Sequence, residues 1–457
     1  MTDATGASER NHRRGKHIKL TVFTGLMARA SSMLVTIVSV PLTLSYLGNE
    51  RFGLWMTVTS LVSMLTFADF GIGNGLLTVV AEASGRDDLD AIRRYISSGF
   101  AILVGLAACM LLLFFSVVNP LVNWPHVFNV HTATAQAESA PAIAALVICV
   151  AGSISSLIVP RVQLALQHGF IYNAWVTVGL IASMSAIWMV SAAHGSVPLL
   201  ILAVSGVPQI TAGINGLIFF ARNRQYRPSW SLVSKAAMKR ILNTGILFVL
   251  LQAGLSISFA SDKLIIARLL GAETVASYSV YERVFGVGVS LMMVMLTPIW
   301  PAYAEAWARN DTEWVRKALR RSISLALSAS AVFAVFVVMS GHLIVSLWTR
   351  KNVPVEPIVL YALGIWCVIQ STSNALSMLL NGLNMLRIQV IASILTACVA
   401  IPLKLILVRD VGPAGAVLAS SAVAVCFSLV PYSIVVWKIA RKSEGPPKDL
   451  PRPAAES

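Results

Sequence analysis

Residues 96–118 read ISSGFAILVGLAACMLLLFFSVV, a run without one charged side chain. At 1.5 Å per residue a helix of that length covers about 30 Å, the hydrocarbon thickness of a bilayer. Lipid offers a backbone no hydrogen-bond partner, so a spanning segment must be a helix or part of a closed barrel. Barrel strands are about ten residues long and alternate apolar with polar positions. The run does neither, which predicts a transmembrane helix that begins just after Arg93 and Arg94.

Runs of the same kind recur in both directions, over 21–46, 53–80, 140–165, 172–193, 197–221, 243–269, 274–303, 323–347, 357–380, 388–408 and 413–437. The 457 residues are 56% hydrophobic and 12% charged, where soluble domains carry about 25% charge. The expected fold class is all-α integral membrane with about twelve transmembrane helices, and single-domain soluble folds are excluded.

A net charge of +15 suggests nucleic acid until the basic residues are sorted by loop. Of the 35 Lys and Arg, 26 fall on one set of alternate loops and the two termini, and four (Arg51, Arg350, Lys351, Arg409) on the other set. Because basic loops are retained in the cytoplasm, both termini are expected there. The basic N-terminal run precedes an apolar segment longer than a signal-peptide core, and reads as an uncleaved anchor.

Shifting the sequence against itself by 223 residues aligns LGNE (47–50) with LGAE (270–273) and AEASGRDD (81–88) with AEAWARND (304–311). The polar positions Glu82, Arg86, Asp88 and Arg93 thereby meet Glu305, Arg309, Asp311 and Arg316. Two duplicated six-helix lobes follow, entering the membrane in the same orientation. The expected division is a cytoplasmic tail 1–20, a first lobe 21–221, a basic linker 222–242, a second lobe 243–439 and a disordered cytoplasmic tail 440–457. The repeated block supports Glu-to-Arg pairs at i, i+4 and Asp caps on the next helices, with a gating role as the alternative.

Ionisable residues inside a span are functional candidates. Arg29 in the first span and Asp69 in the second lie deep enough to pair across antiparallel neighbours. Asp262 and Lys263 precede Gly271 by about as many residues as Glu282 and Arg283 follow it, so either Asp262–Arg283 or Lys263–Glu282 pairing is open, as a helix lock or a polar cavity. Arg268 and Lys404 are placed near the membrane boundary, where a long side chain snorkels. Pro298 and Pro301 interrupt the eighth span as a hinge, a gate or a static kink. GIGNG at 71–75 permits bending or close packing. No nucleotide-binding loop is present. His126 and His131 lack further ligands, and the five cysteines fall in spans. No catalytic residue, metal or cofactor is expected.

Four blocks resemble the Wzx-type polysaccharide flippases of the MATE-related MOP superfamily: VPLTLSYLGNERFGLWMTV (40–58), LTFADFGIGNGLLTVVAEASGRDDLDAIRRYISSGF (65–100), DKLIIARLLGAETVASYSVYERVF (262–285) and LTPIWPAYAEAWARNDTEWVRKALRR (296–321). The likeness, running from about residue 18 to 440, implies two six-helix lobes about a central cavity in a bacterial inner-membrane transporter rather than an enzyme. It implies an undecaprenyl-diphosphate-linked oligosaccharide as substrate, flipped by alternating access for O-antigen, lipopolysaccharide or exopolysaccharide synthesis. Cavity residues would be Arg29, Asp69, Asp262, Lys263, Glu282 and Arg283. Membrane lipids and other polysaccharide-assembly proteins are candidate partners, a proton or sodium gradient is a candidate driving force, and nucleic acid is not a partner. The alternatives are an ion-coupled exporter of organic cations on the same fold, with Asp69 as cation site, and a membrane polymerase or ligase of sugar chains.

Overall fold

The computed structural model describes residues 2–64, 71–128, 130–349 and 356–441. The described residues are helical throughout their ordered elements, and eleven helices are long and apolar enough to cross a membrane. The chain divides into two compact units, Met1–Ile246 and Leu247–Ser457.

In the first unit α1 covers Thr2–Met64 and α2 covers Ile72–Gly85. Next come α3 (Leu89–Leu113), which continues through a π turn (Phe114–Val118) into α4 (Asn119–Leu121), and the short α5 (Trp124–Val127). Helices α6 (Ala133–Ser156) and α7 (Ile158–Ala165) form one span, α8 (Gly169–Ala192) the next. The last span joins α9 (Val197–Ile201), a π turn (Leu202–Gly206) and α10 (Val207–Arg222). Helix α11 (Lys235–Leu270) runs across the division between the units.

The second unit continues with α12 (Ala272–Leu296), α13 (Ile299–Ala308), α14 (Thr312–Thr349), α15 (Pro357–Gly382) and α16 (Leu386–Val411). It closes on α17 (Ala414–Ala424), a π turn (Val425–Leu429) and α18 (Val430–Arg441). Its apolar core gathers Ile266, Tyr281, Phe285, Val337, Leu363 and Val417 from five helices. Leu112, Leu217, Val332 and Met339 are exposed on spans of the two units, as outward positions in lipid require.

The span expected over 53–80 is divided: its first part is the end of α1, residues 65–70 lie outside the described ones, and its last part is α2. The expected break between the first two spans, near 47–52, is absent, since α1 continues through LGNE. The first left-handed glycine is Gly71, at φ +69°, just before α2. In the second unit the break does fall at the matching motif, where Gly271 (φ +91°) separates α11 from α12.

Duplication is written into the local geometry. Glu82–Arg86 and Glu305–Arg309 both form i, i+4 ion pairs. Asp87 and Asn310 both take left-handed φ, 57° and 58°. Asp88 accepts from Ala91 N at 2.9 Å, and Asp311 from Trp314 N at 3.2 Å, each capping the next helix. The π turns at 202–206 and 425–429 are likewise 223 residues apart.

Candidate substrate site

Helix α1 carries Arg29. On the same helix Asn173 of α8 donates to Thr21 O at 2.9 Å and to Thr24 Oγ1 at 3.4 Å, and Ala28 is buried, which marks the side packed on α8. Phe23, Met27 and Leu34 are exposed and form an apolar stripe. At about 100° per residue, Arg29 stands roughly 110° from the packed side and roughly 140° from the stripe. Its side chain is exposed, and among the described residues no ion pair engages it. Asp69, its expected partner, lies outside the described residues. A pocket of about 250 Å³ between α1 and α8, lined by Ser31, Leu34, Val35, Ile181, Met184 and Ser185, opens on a different side of α1 and does not include Arg29.

At one end of the first unit, Arg240 on α11 donates to Glu82 Oε2 at 2.8 Å and to Tyr95 OH at 2.7 Å. The preceding turns lie on α3, where Ser97 Oγ accepts from Ser229 N (3.0 Å) and Ser98 Oγ accepts from Ser234 N (3.1 Å). Glu82 therefore serves both its own helix and α11, a link that the i, i+4 spacing did not reveal. At the other end, Arg51 grips Glu138 with two donors (2.9 and 2.7 Å). Beside it, Glu50 accepts from the His131 and Thr132 amides ahead of α6. Those amides, His131 first, hold the Glu50 carboxyl below the usual carboxylate range.

In the second unit the charged candidates separate into two pairs. Lys263 Nζ lies 2.8 Å from Glu282 Oε2, across α11 and α12, with both side chains partly open. This is one of the two arrangements the sequence left open. The other does not occur: Asp262 meets Lys404 of α16 at 2.6 Å, and Arg283 is exposed. Lys404 is not a snorkelling residue. Its side chain is 0% exposed, and besides Asp262 it donates to Ser258 O at 2.5 Å and to Ser261 Oγ at 3.2 Å. Tyr278 of α12 is buried in the core of the same unit.

Pro298 and Pro301 are both buried. Helix α12 stops at Leu296, Pro298 caps α13, and Pro301 sits in the first turn of α13, where a missing N–H is tolerated. The first unit is not interrupted at the matching place: Gly75, the counterpart of Pro298 at the 223-residue offset, lies inside α2, which begins just after Gly71. A Cβ on Gly75 would stand 2.5 Å from Ile241 O and 3.0 Å from Gly245 N. Close packing of α2 on α11 is therefore what GIGNG provides. Buried amides tie helices in both units, Gln163 with Asn215 (2.9 Å) and Gln389 with Asn381 (2.8 Å). Among the described residues no cluster of His, Cys, Asp and Glu could hold a metal ion.

The fold is that of known transporters. An outward-facing multidrug resistance MATE family transporter of the MOP superfamily superposes with a TM-score of 0.80 at 14% identity, over 94% of this chain and 97% of its own. A MOP superfamily transporter from Pyrococcus furiosus, whose reversed pocket polarity suggests a different function, gives 0.77 at 13% identity, over 93% and 96%. The Vibrio cholerae MATE transporter VcmN gives 0.76 at 13% identity, over 94% and 99%. No curated protein matches the sequence significantly. The MatE family profile matches residues 248–406, and the profile described as polysaccharide biosynthesis protein matches residues 21–307, more than half of the chain. The chain thus belongs to the polysaccharide biosynthesis protein family, built on the fold of the MATE transporters of the MOP superfamily.

Proposed function

We propose that this chain is a flippase that carries an undecaprenyl-diphosphate-linked oligosaccharide from the cytoplasmic to the periplasmic leaflet of a bacterial inner membrane, by alternating access. Both termini are cytoplasmic in this reading. A sugar headgroup cannot cross hydrocarbon unaided, whereas its polyprenyl tail can remain in lipid, so the protein has only to shelter the polar end. The observation that carries the proposal is Arg29, an exposed guanidinium that neither the α8 contact nor the apolar stripe of α1 absorbs. A planar fork of donors is the group best matched to a diphosphate. Asp69, Lys263, Glu282 and Arg283 are the further polar groups assigned to headgroup contact, while Pro298 and Pro301 divide the span that would bend. Candidate downstream partners are the other proteins of surface-polysaccharide assembly.

An exporter of organic cations on the same fold would need a carboxylate free to meet its cargo. Among the described residues Asp262 and Glu282 are each matched by a lysine, which leaves Asp69, outside the described residues, as the carboxylate that reading would use. The test is complementation of a flippase-null strain, with surface glycan and the lipid-linked intermediate both measured. Arg29→Ala should lose surface glycan by at least tenfold and accumulate the intermediate on the cytoplasmic face while the protein still inserts, with Arg29→Lys partly active. Normal export by Arg29→Ala would overturn the headgroup assignment. Recovery in Arg29→Ala/Asp69→Asn would favour the cation exporter, because Arg29 would then only balance Asp69.

A further inference from the structure

The surroundings of Lys404 are those of a bound cation. Its ammonium touches three oxygens of different kinds, all on one stretch of α11: the Ser258 carbonyl at 2.5 Å, the Asp262 carboxylate at 2.6 Å and the Ser261 hydroxyl at 3.2 Å. Carbonyl, carboxylate and hydroxyl oxygens are the donors that hard cations take. Ile265, Ile266 and Val408, one turn further along α11 and α16, are buried in the apolar core. That flank of the site is therefore apolar. A lone carboxylate at this depth would cost several kcal/mol to keep ionised, so the site requires a cation whenever Asp262 is charged. The side chain of Lys404 is wholly buried.

We propose that the oxygen cage of Ser258, Ser261 and Asp262 is a monovalent-cation site whose occupant is covalently attached, the ammonium of Lys404. The second unit of this transporter accordingly needs no exchangeable sodium or potassium at Asp262, and any cation gradient that drives the cycle acts elsewhere. The assignment does not depend on what the protein carries, so it can fail or stand separately from the flippase reading.

The assay is thermal unfolding of the purified full-length protein in detergent, in matched concentrations of sodium, potassium, ammonium, methylammonium or choline chloride. Choline, too large for the cage, controls for ionic strength. The wild-type midpoint should be the same in all five salts. Lys404→Ala vacates the cage, and its midpoint should rise by about 3–5 °C, saturably, with the small cations over choline. Adding Asp262→Asn to Lys404→Ala should abolish that response. A salt that merely screens charge would act on all variants alike. Equal midpoints for Lys404→Ala in every salt would overturn the proposal. The wild type decides alone should Lys404→Ala fail to accumulate: a sodium- or potassium-specific rise that Asp262→Asn removes would mean that the cage exchanges ions, and the proposal would fall.

Discussion

Arg51 holds Glu138 with both Nε and a terminal nitrogen, and the same nitrogen donates to Gly195 O at 3.2 Å. The pair thus ties α1 to α6 and to the turn before α9, with both side chains largely covered (20% and 16% exposed). A forked contact of this kind contributes about 1 kcal/mol, and Lys at the position keeps the charge without the fork. Arg51→Lys is expected to lower the unfolding midpoint by a few degrees, and Arg51→Ala further. In Arg51→Glu/Glu138→Arg the loss should be partly recovered, which thermal unfolding in detergent would detect. No pattern in the sequence pointed to Glu138, because the partners lie 87 residues apart. Lys263 and Glu282 were legible because both are counted from the same turn at Gly271. Counting fails for Lys404: residue number gives depth along a helix but not the direction of the side chain, and depth alone made it an interfacial lysine. Asp262, four residues short of the buried Ile266, was the better clue, since an acid on a core-facing side needs a buried cation.

At the scale of elements, each unit interrupts the helix that carries the repeated polar block. The second unit does so at Pro298, the first at Gly71, while Gly75, the counterpart of Pro298, lies inside α2. At Gly75 α2 meets the backbone of α11 with no space for a side chain, and α13 is met as closely by Gly382 of α15, where a Cβ would stand 2.9 Å from Trp300 O. Gly75→Ala would drive its Cβ against Ile241 O, a backbone atom that cannot rotate away. A cost of about 1–3 kcal/mol is expected for such overpacking. Gly152→Ala in α6 is the control, since nothing lies within 4 Å of its new Cβ, and a helix interior gains about 0.5–1 kcal/mol from that exchange. Unfolding midpoints of the two variants should move in opposite directions. Equal shifts would show that helix propensity, not the α2–α11 contact, governs Gly75. The paired π turns do leave a mark in the sequence: SGVP (205–208) and SLVP (428–431) coincide at the 223-residue offset, and a proline without an N–H just past each turn loosens the ladder before it. The first turn is also tied by Ser183, which donates to the carbonyl of Ala203 at 2.8 Å.

For the molecule as a whole, hydropathy and the positive charge of alternate loops were enough to read a polytopic helical fold, and the 223-residue repeat was enough to read two related halves. The path of the second span was less readable, because LGNE continues a helix in one half and LGAE ends one in the other. Within the first unit the order of helices places the turns at 85–88, 166–168 and 223–234 at one end and those at 122–132 and 193–196 at the other. The first end carries Arg86, Arg93, Arg94, Arg222, Arg224 and Arg227, and such ends are kept in the cytoplasm because translocating a basic loop is disfavoured. In the second unit the turn at 309–311 carries Arg309 and is followed by Arg316 and Lys317. Single cysteines should therefore label with a membrane-impermeant maleimide in intact cells at Thr134 and Ala193, but not at Gln225 or Asn310. All four positions are exposed, so reactivity reports sidedness rather than burial, and the cysteines already in the chain are first replaced. The two silent positions should label once the membrane is permeabilised. Labelling of Gln225 from outside in intact cells would invert the first unit, and labelling of Asn310 alone would mean that the halves enter the membrane in opposite orientations, which a repeat with the same charge pattern at both copies does not allow.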